Sequence, residues 1–87
     1  MIINKEHTML TLEQKIATLQ IIKHMDYNNK RIDAMQISHV FNKCYIDKID
    51  WHEFSFYLDE LRTNKILALD HSRKMLDNFT CYKLNQD

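Results

Sequence analysis

Asp50–Asn64 reads DWHEFSFYLDELRTN, and Lys65–Leu84 continues as KILALDHSRKMLDNFTCYKL. The change of hydrophobic period between the two segments decides the fold. In the first, Phe54, Tyr57, Leu58 and Leu61 recur at the three-and-four spacing that lines one face of a helix. Asp50 followed three residues later by Glu53 predicts an N-terminal cap, each side chain satisfying backbone donors that the first turn leaves unpaired. Asn64 predicts the stop, because Asn tolerates the left-handed conformation past a helix end and the chain has no Gly to supply it. Ile66, Leu67 and Leu69 within Lys65–Asp70, and the alternation of Phe79, Cys81, Tyr82 and Leu84 with Thr80 and Lys83, then suit strands. His71, Ser72, Arg73 and Lys74 form a basic turn between them, and a helix runs into a hairpin.

Working back toward the N-terminus, Thr11 and Gln14 make a second capping pair ahead of Leu12, Ile16, Leu19, Ile22 and Met25, which predicts a first helix over Leu12–Met25. Asp26–Lys30 (DYNNK) is turn chemistry. Asp33 with Gln36 makes a third pair before Ile37, Val40 and Phe41, predicting a second helix that ends near Asn42. Tyr45–Ile49 is a short connection in which Ile46 and Ile49 are expected to plug the core. Residues 1–10 read as an N-terminal arm and 11–87 as one domain. The expected fold class is mainly α with a small β-hairpin.

A single domain of 87 residues buries only roughly 60–65% of the surface its unfolded chain exposes, so its core is small. Hydrophobic residues at 45% and charged residues at 28% are too apolar a mixture for disorder. Twelve Lys and Arg balance 12 Asp and Glu, so any contact with a polyanion must come from a local patch. Average usage predicts roughly ten Gly and Pro, and there are none, which excludes Gly-rich phosphate cradles and the dinucleotide fingerprint. Cys44 and Cys81, with no leader or long apolar run, are read as small core residues of a cytoplasmic protein without a membrane span. His7, His24, His39, His52 and His71 show no metal-ligand pairing and neither Cys has a C-x-x-C partner, so no catalytic residue, metal or cofactor is expected.

The order of helix, short extended residue at Ile32, helix, helix and hairpin resembles the winged-helix (winged helix-turn-helix) superfamily, specifically small MarR-like and PadR-like regulators and some Firmicute winged-helix proteins. The residues that carry the resemblance are IDAMQISHVF in the second helix, FSFYLDELRTNKIL in the third helix and its exit, and CYKLN in the last strand. It covers about Thr11–Asn85 as a pattern of apolar positions. In those families the exit usually has Gly where Asn64 stands, and the final strand commonly ends in an aromatic, a basic residue and Leu, as Tyr82, Lys83 and Leu84 do here. The resemblance implies a transcriptional regulator that binds double-stranded DNA, with the third helix in the major groove and the wing on the backbone.

The residues themselves offer His52, Ser55 and Arg62 for base edges, and Arg73, Lys74, Lys30 and Arg31 for phosphates, with Lys43 and Lys48 as additions. Asp59 and Glu60 face a polyanion poorly. Trp51 and Phe56 either complete the core or form an aromatic patch, and the patch supports an alternative: a phage or mobile-element factor that docks on a host protein. A homodimer is expected through the arm and the first helix, whose apolar residues, including Ile21, lie on more than one flank.

Overall fold

The computed structural model describes residues 9–46, 48–71 and 80–85. The elements run α1 (Leu12–Tyr27), α2 (Ala34–Cys44), α3 (Trp51–Thr63), β1 (Leu67–Leu69) and β2 (Tyr82–Leu84). The chain is thus mainly helical with a small antiparallel hairpin, in the register Leu67↔Leu84, Ala68↔Lys83 and Leu69↔Tyr82. Ile32 bridges to Tyr82 on the other side of β2, with the Tyr82 amide donating to the Ile32 carbonyl at 2.8 Å. That bond ties the α1–α2 connection to the far end of the described chain.

The three helix starts differ in how they are capped. Thr11 and Gln14 form the full reciprocal pair at 3.1 and 2.8 Å. At α2 only half forms: Asp33 accepts from the Gln36 amide at 2.8 Å, and its second oxygen takes the Arg31 Nε at 2.5 Å. At α3 the expected pair does not form at all. Asp50 instead accepts from His52 Nδ1, and Glu53 accepts from the Met9 amide at 2.6 Å, a charge-assisted bond that holds the approach to α1 against the start of α3.

Helix ends are resolved without glycine. Asn64 keeps φ −85°, and Lys65 takes the left-handed conformation at φ 64° that the sequence assigns to Asn64. Ile66 then donates to Leu61 and Lys65 to Arg62, at 2.9 and 3.0 Å, the paired bonds of a Schellman motif. Asn29, at φ 55°, repeats the arrangement after α1, with Lys30 donating to Met25 and Asn29 to Asp26.

The core joins Ile22 and Met25 of α1, Ile37 and Phe41 of α2, the expected Phe54, Tyr57, Leu58 and Leu61 of α3, Leu67 and Tyr82 of the hairpin, and the bridging Ile32. Phe41 packs on Phe54 with ring centroids 5.2 Å apart. Leu10 is also buried there. Leu12 and Ile16, expected in the core, are 73% and 49% exposed, because the buried stripe of α1 runs through Thr18, Ile22 and Met25. Thr18 tolerates burial by donating its hydroxyl to the Gln14 carbonyl at 2.7 Å. Ile46, expected as a plug, is 96% exposed. Cys44 is exposed and Cys81 buried, so only the second fits the core reading.

A side-chain clamp does the work expected of Ile46. Asn42 Oδ1 accepts from the Ile49 amide at 3.0 Å, and Asn42 Nδ2 donates to the Ile49 carbonyl at 3.1 Å and to Ser38 Oγ at 3.3 Å. Ser38 Oγ also donates to the Ile49 carbonyl, at 3.3 Å. The amide imitates a backbone partner and fixes the α2–α3 connection, leaving Ile49 packed against the core.

Candidate nucleic-acid interface

The outward face of α3 is largely committed to itself. His52 is exposed but holds the Asp50 carboxylate and stacks on Trp51, ring centroids 3.8 Å apart. Arg62 is exposed and pairs with Asp59 at 3.3 Å, one turn back. Thr63 Oγ1 donates to the Asp59 carbonyl at 3.0 Å. Ser55 and Phe56 are half-buried, and Trp51 is half-buried against the core. Helical spacing puts Asp59 between His52, Ser55 and Phe56 on one side and Arg62 and Thr63 on the other, in the middle of the face expected to read bases.

Beside that face, the last turn of α3 and the hairpin enclose a shallow groove of about 610 Å³ lined by Arg62, Lys65, Lys83 and His71, with Ala68 and Asn85. No carboxylate lines it among the described residues. Lys65 is presented by the left-handed turn, and Lys83 by its cross-strand position opposite Ala68. The Asn85 side chain donates to the Lys65 carbonyl at 2.9 Å, holding the turn against the end of β2. Lys65, His71 and Lys83 are not among the residues the sequence offers for DNA: Lys65 opens the first strand segment, His71 falls in the basic turn, and Lys83 is the basic residue of the last strand. The signal was Lys83 at the solvent-facing position of an alternating strand. Arg73 and Lys74 lie outside the described residues.

Tyr82 of β2 is buried. Burial raises its phenol above the ordinary tyrosine value, nearby Asp59 raises it further, and Arg62 partly offsets both. Tyr57 is likewise raised, first by burial and then by Glu60.

The remaining candidate cations sit elsewhere. Lys30 and Arg31 border a different groove, between α1 and α2, and Arg31 is held by the fully buried Asp33. Lys48 donates its ammonium to the Asn42 carbonyl, and Lys43 is exposed. Among the described residues no three His, Cys, Asp or Glu side chains are grouped to hold a metal ion, and no described helix is long and apolar enough to cross a membrane. Comparisons with protein-family models, with curated proteins and with solved structures find no match for this chain.

Proposed function

We propose that this chain is a winged-helix protein that binds double-stranded DNA, chiefly through phosphate contacts on the hairpin side of α3, and acts as a small transcriptional regulator. The observation that carries the reading is the groove in which Lys65, His71 and Lys83 stand beside Arg62, whose partner Asp59 lies outside the lining. The order α1, bridge at Ile32, α2, α3, β1, β2 supports the winged-helix layout. The chain's zero net charge leaves no long-range field to recruit DNA, so a local cluster of cations must do so.

Phosphate contact, more than base reading, follows from how the cations are placed. His52 and Arg62 both carry an acidic partner, and Asp59 occupies the middle of the reading face. Base discrimination should therefore be weak. A homodimer would present two such grooves to one duplex. The alternative of docking on another protein needs Trp51 and Phe56 as an exposed patch, and both are half-buried.

The test is fluorescence anisotropy with a labelled random duplex at low salt. Wild type should bind, Lys65→Ala with Lys83→Ala should weaken binding at least tenfold, and the exposed control Lys23→Ala on α1 should change it little. Absence of duplex binding at low salt would refute the reading.

A further inference from the structure

We propose that the groove between α1 and α2 binds a small amphipathic anion, with an apolar body along the helices and a carboxylate or phosphate head at Lys30 and Arg31. The groove encloses about 790 Å³, inside the range of roughly 300–1,000 Å³ typical of small-molecule sites. Ala17 and Ile21 wall it on α1, Val40 on α2, and Tyr45 just beyond. At 1.5 Å per helical residue, the contributing stretches of the two helices give a trough about 10–12 Å long.

Charge argues for the head group. Lys30 and Arg31 stand together at one end, where α1 has finished and Ile32 turns toward the sheet, and no carboxylate lines the groove among the described residues. Asp33 does not line the groove: it is buried and accepts from Arg31 Nε, which offsets part of the Arg31 charge and leaves Lys30 as the cation without an acidic partner at this end among the described residues. A guanidinium fork matches a planar or tetrahedral oxyanion. The edges are polar, with Gln20 on α1 and Gln36 on α2, both exposed. An apolar floor with polar edges and cations at one end suits a narrow amphipathic molecule better than a broad protein surface. This groove shares no lining residue with the hairpin groove, so its ligand is read without DNA.

The probe is decanoate, titrated into the chain by calorimetry beside decanol and decyl phosphate. Saturable one-to-one binding of decanoate, with decanol at least tenfold weaker, is expected, and the decyl phosphate arm ranks the two head groups. Removing Arg31 would strand buried Asp33, so the head-group variant is Lys30→Ala, expected to weaken decanoate about threefold to tenfold with little effect on decanol. Val40→Trp should fill the trough and abolish binding. For wild type, decanoate should shift the backbone amide resonances of Ala17, Ile21 and Val40, a readout that needs no variant to fold. Equal affinity for decanol, or shifts confined to α3 and the hairpin, would overturn the proposal. So would a ligand-free dimer in sedimentation that Val40→Trp dissociates, because the groove would then belong to a second copy.

Discussion

Replacing Asn42 with Ala removes three hydrogen bonds at once: those from Nδ2 to the Ile49 carbonyl and to Ser38, and that from the Ile49 amide to Oδ1. A typical intramolecular bond contributes about 1 kcal/mol net, and a buried donor left unmade costs about 1–3 kcal/mol. The Ile49 carbonyl retains Ser38, and the site is only half-buried, so water replaces part of the loss. The expected cost is about 2–3 kcal/mol, a large share of the roughly 4–13 kcal/mol that a domain of this size holds. Asn42→Asp keeps the acceptor for Ile49 but turns a carboxylate oxygen toward the Ile49 carbonyl, and should cost about as much at neutral pH. Urea denaturation followed by Trp51 fluorescence and by helical circular dichroism measures both, with the neighbouring exposed Lys43→Ala as a control expected within about 0.5 kcal/mol of wild type. A cost below about 0.5 kcal/mol for Asn42→Ala would refute the clamp.

Three further outcomes follow from the packing and the backbone. Lys65→Gly relieves a left-handed side chain and should stabilise the fold by about 0.5–1 kcal/mol, seen as a melting temperature raised by several degrees. Phe54→Ala empties the centre of the core and should cost about 3–5 kcal/mol, enough to leave much of the chain unfolded in a thermal melt. Tyr57 and Tyr82 have phenols raised in the folded state, so the folded chain holds their protons more tightly than the unfolded chain. Their contribution is complete below pH about 10 and declines as pH rises through the folded values. Tyr82→Phe should flatten that alkaline loss in pH-dependent urea titrations, and an unchanged alkaline slope would count against the burial of this phenol.

Periodicity made the helix faces of α2 and α3 legible, because a buried stripe leaves its mark every three or four residues. It misled at α1, where a hydroxyl at Thr18 occupies the buried stripe while Leu12 and Ile16 point outward. Local capping rules succeeded at Thr11, where no other group competes for the cap. They failed at Asp50 and Glu53, whose carboxylates are taken by His52 and by Met9, a partner 44 residues away. The Asn42 clamp was invisible for a related reason: its partner is fixed by where the connection folds, which no local pattern encodes. For the candidate site, the sequence pointed to the hairpin turn and the outer face of α3. It could not foresee that His52 and Arg62 would each hold an acid, or that Lys65 and Lys83 would converge from a helix exit and a strand. That convergence depends on the β1–β2 register.

The salt dependence of duplex affinity tests the central claim most directly. Two to four phosphate contacts, from Lys65 and Lys83 with or without Arg62 and His71, predict a slope of about −1.8 to −3.6 in a plot of log affinity against log salt. Lys65→Ala with Lys83→Ala should reduce its magnitude by about 1.8, one counterion fraction for each lost phosphate contact. A slope unchanged in the double variant would contradict the assignment of the hairpin groove as the phosphate-binding surface.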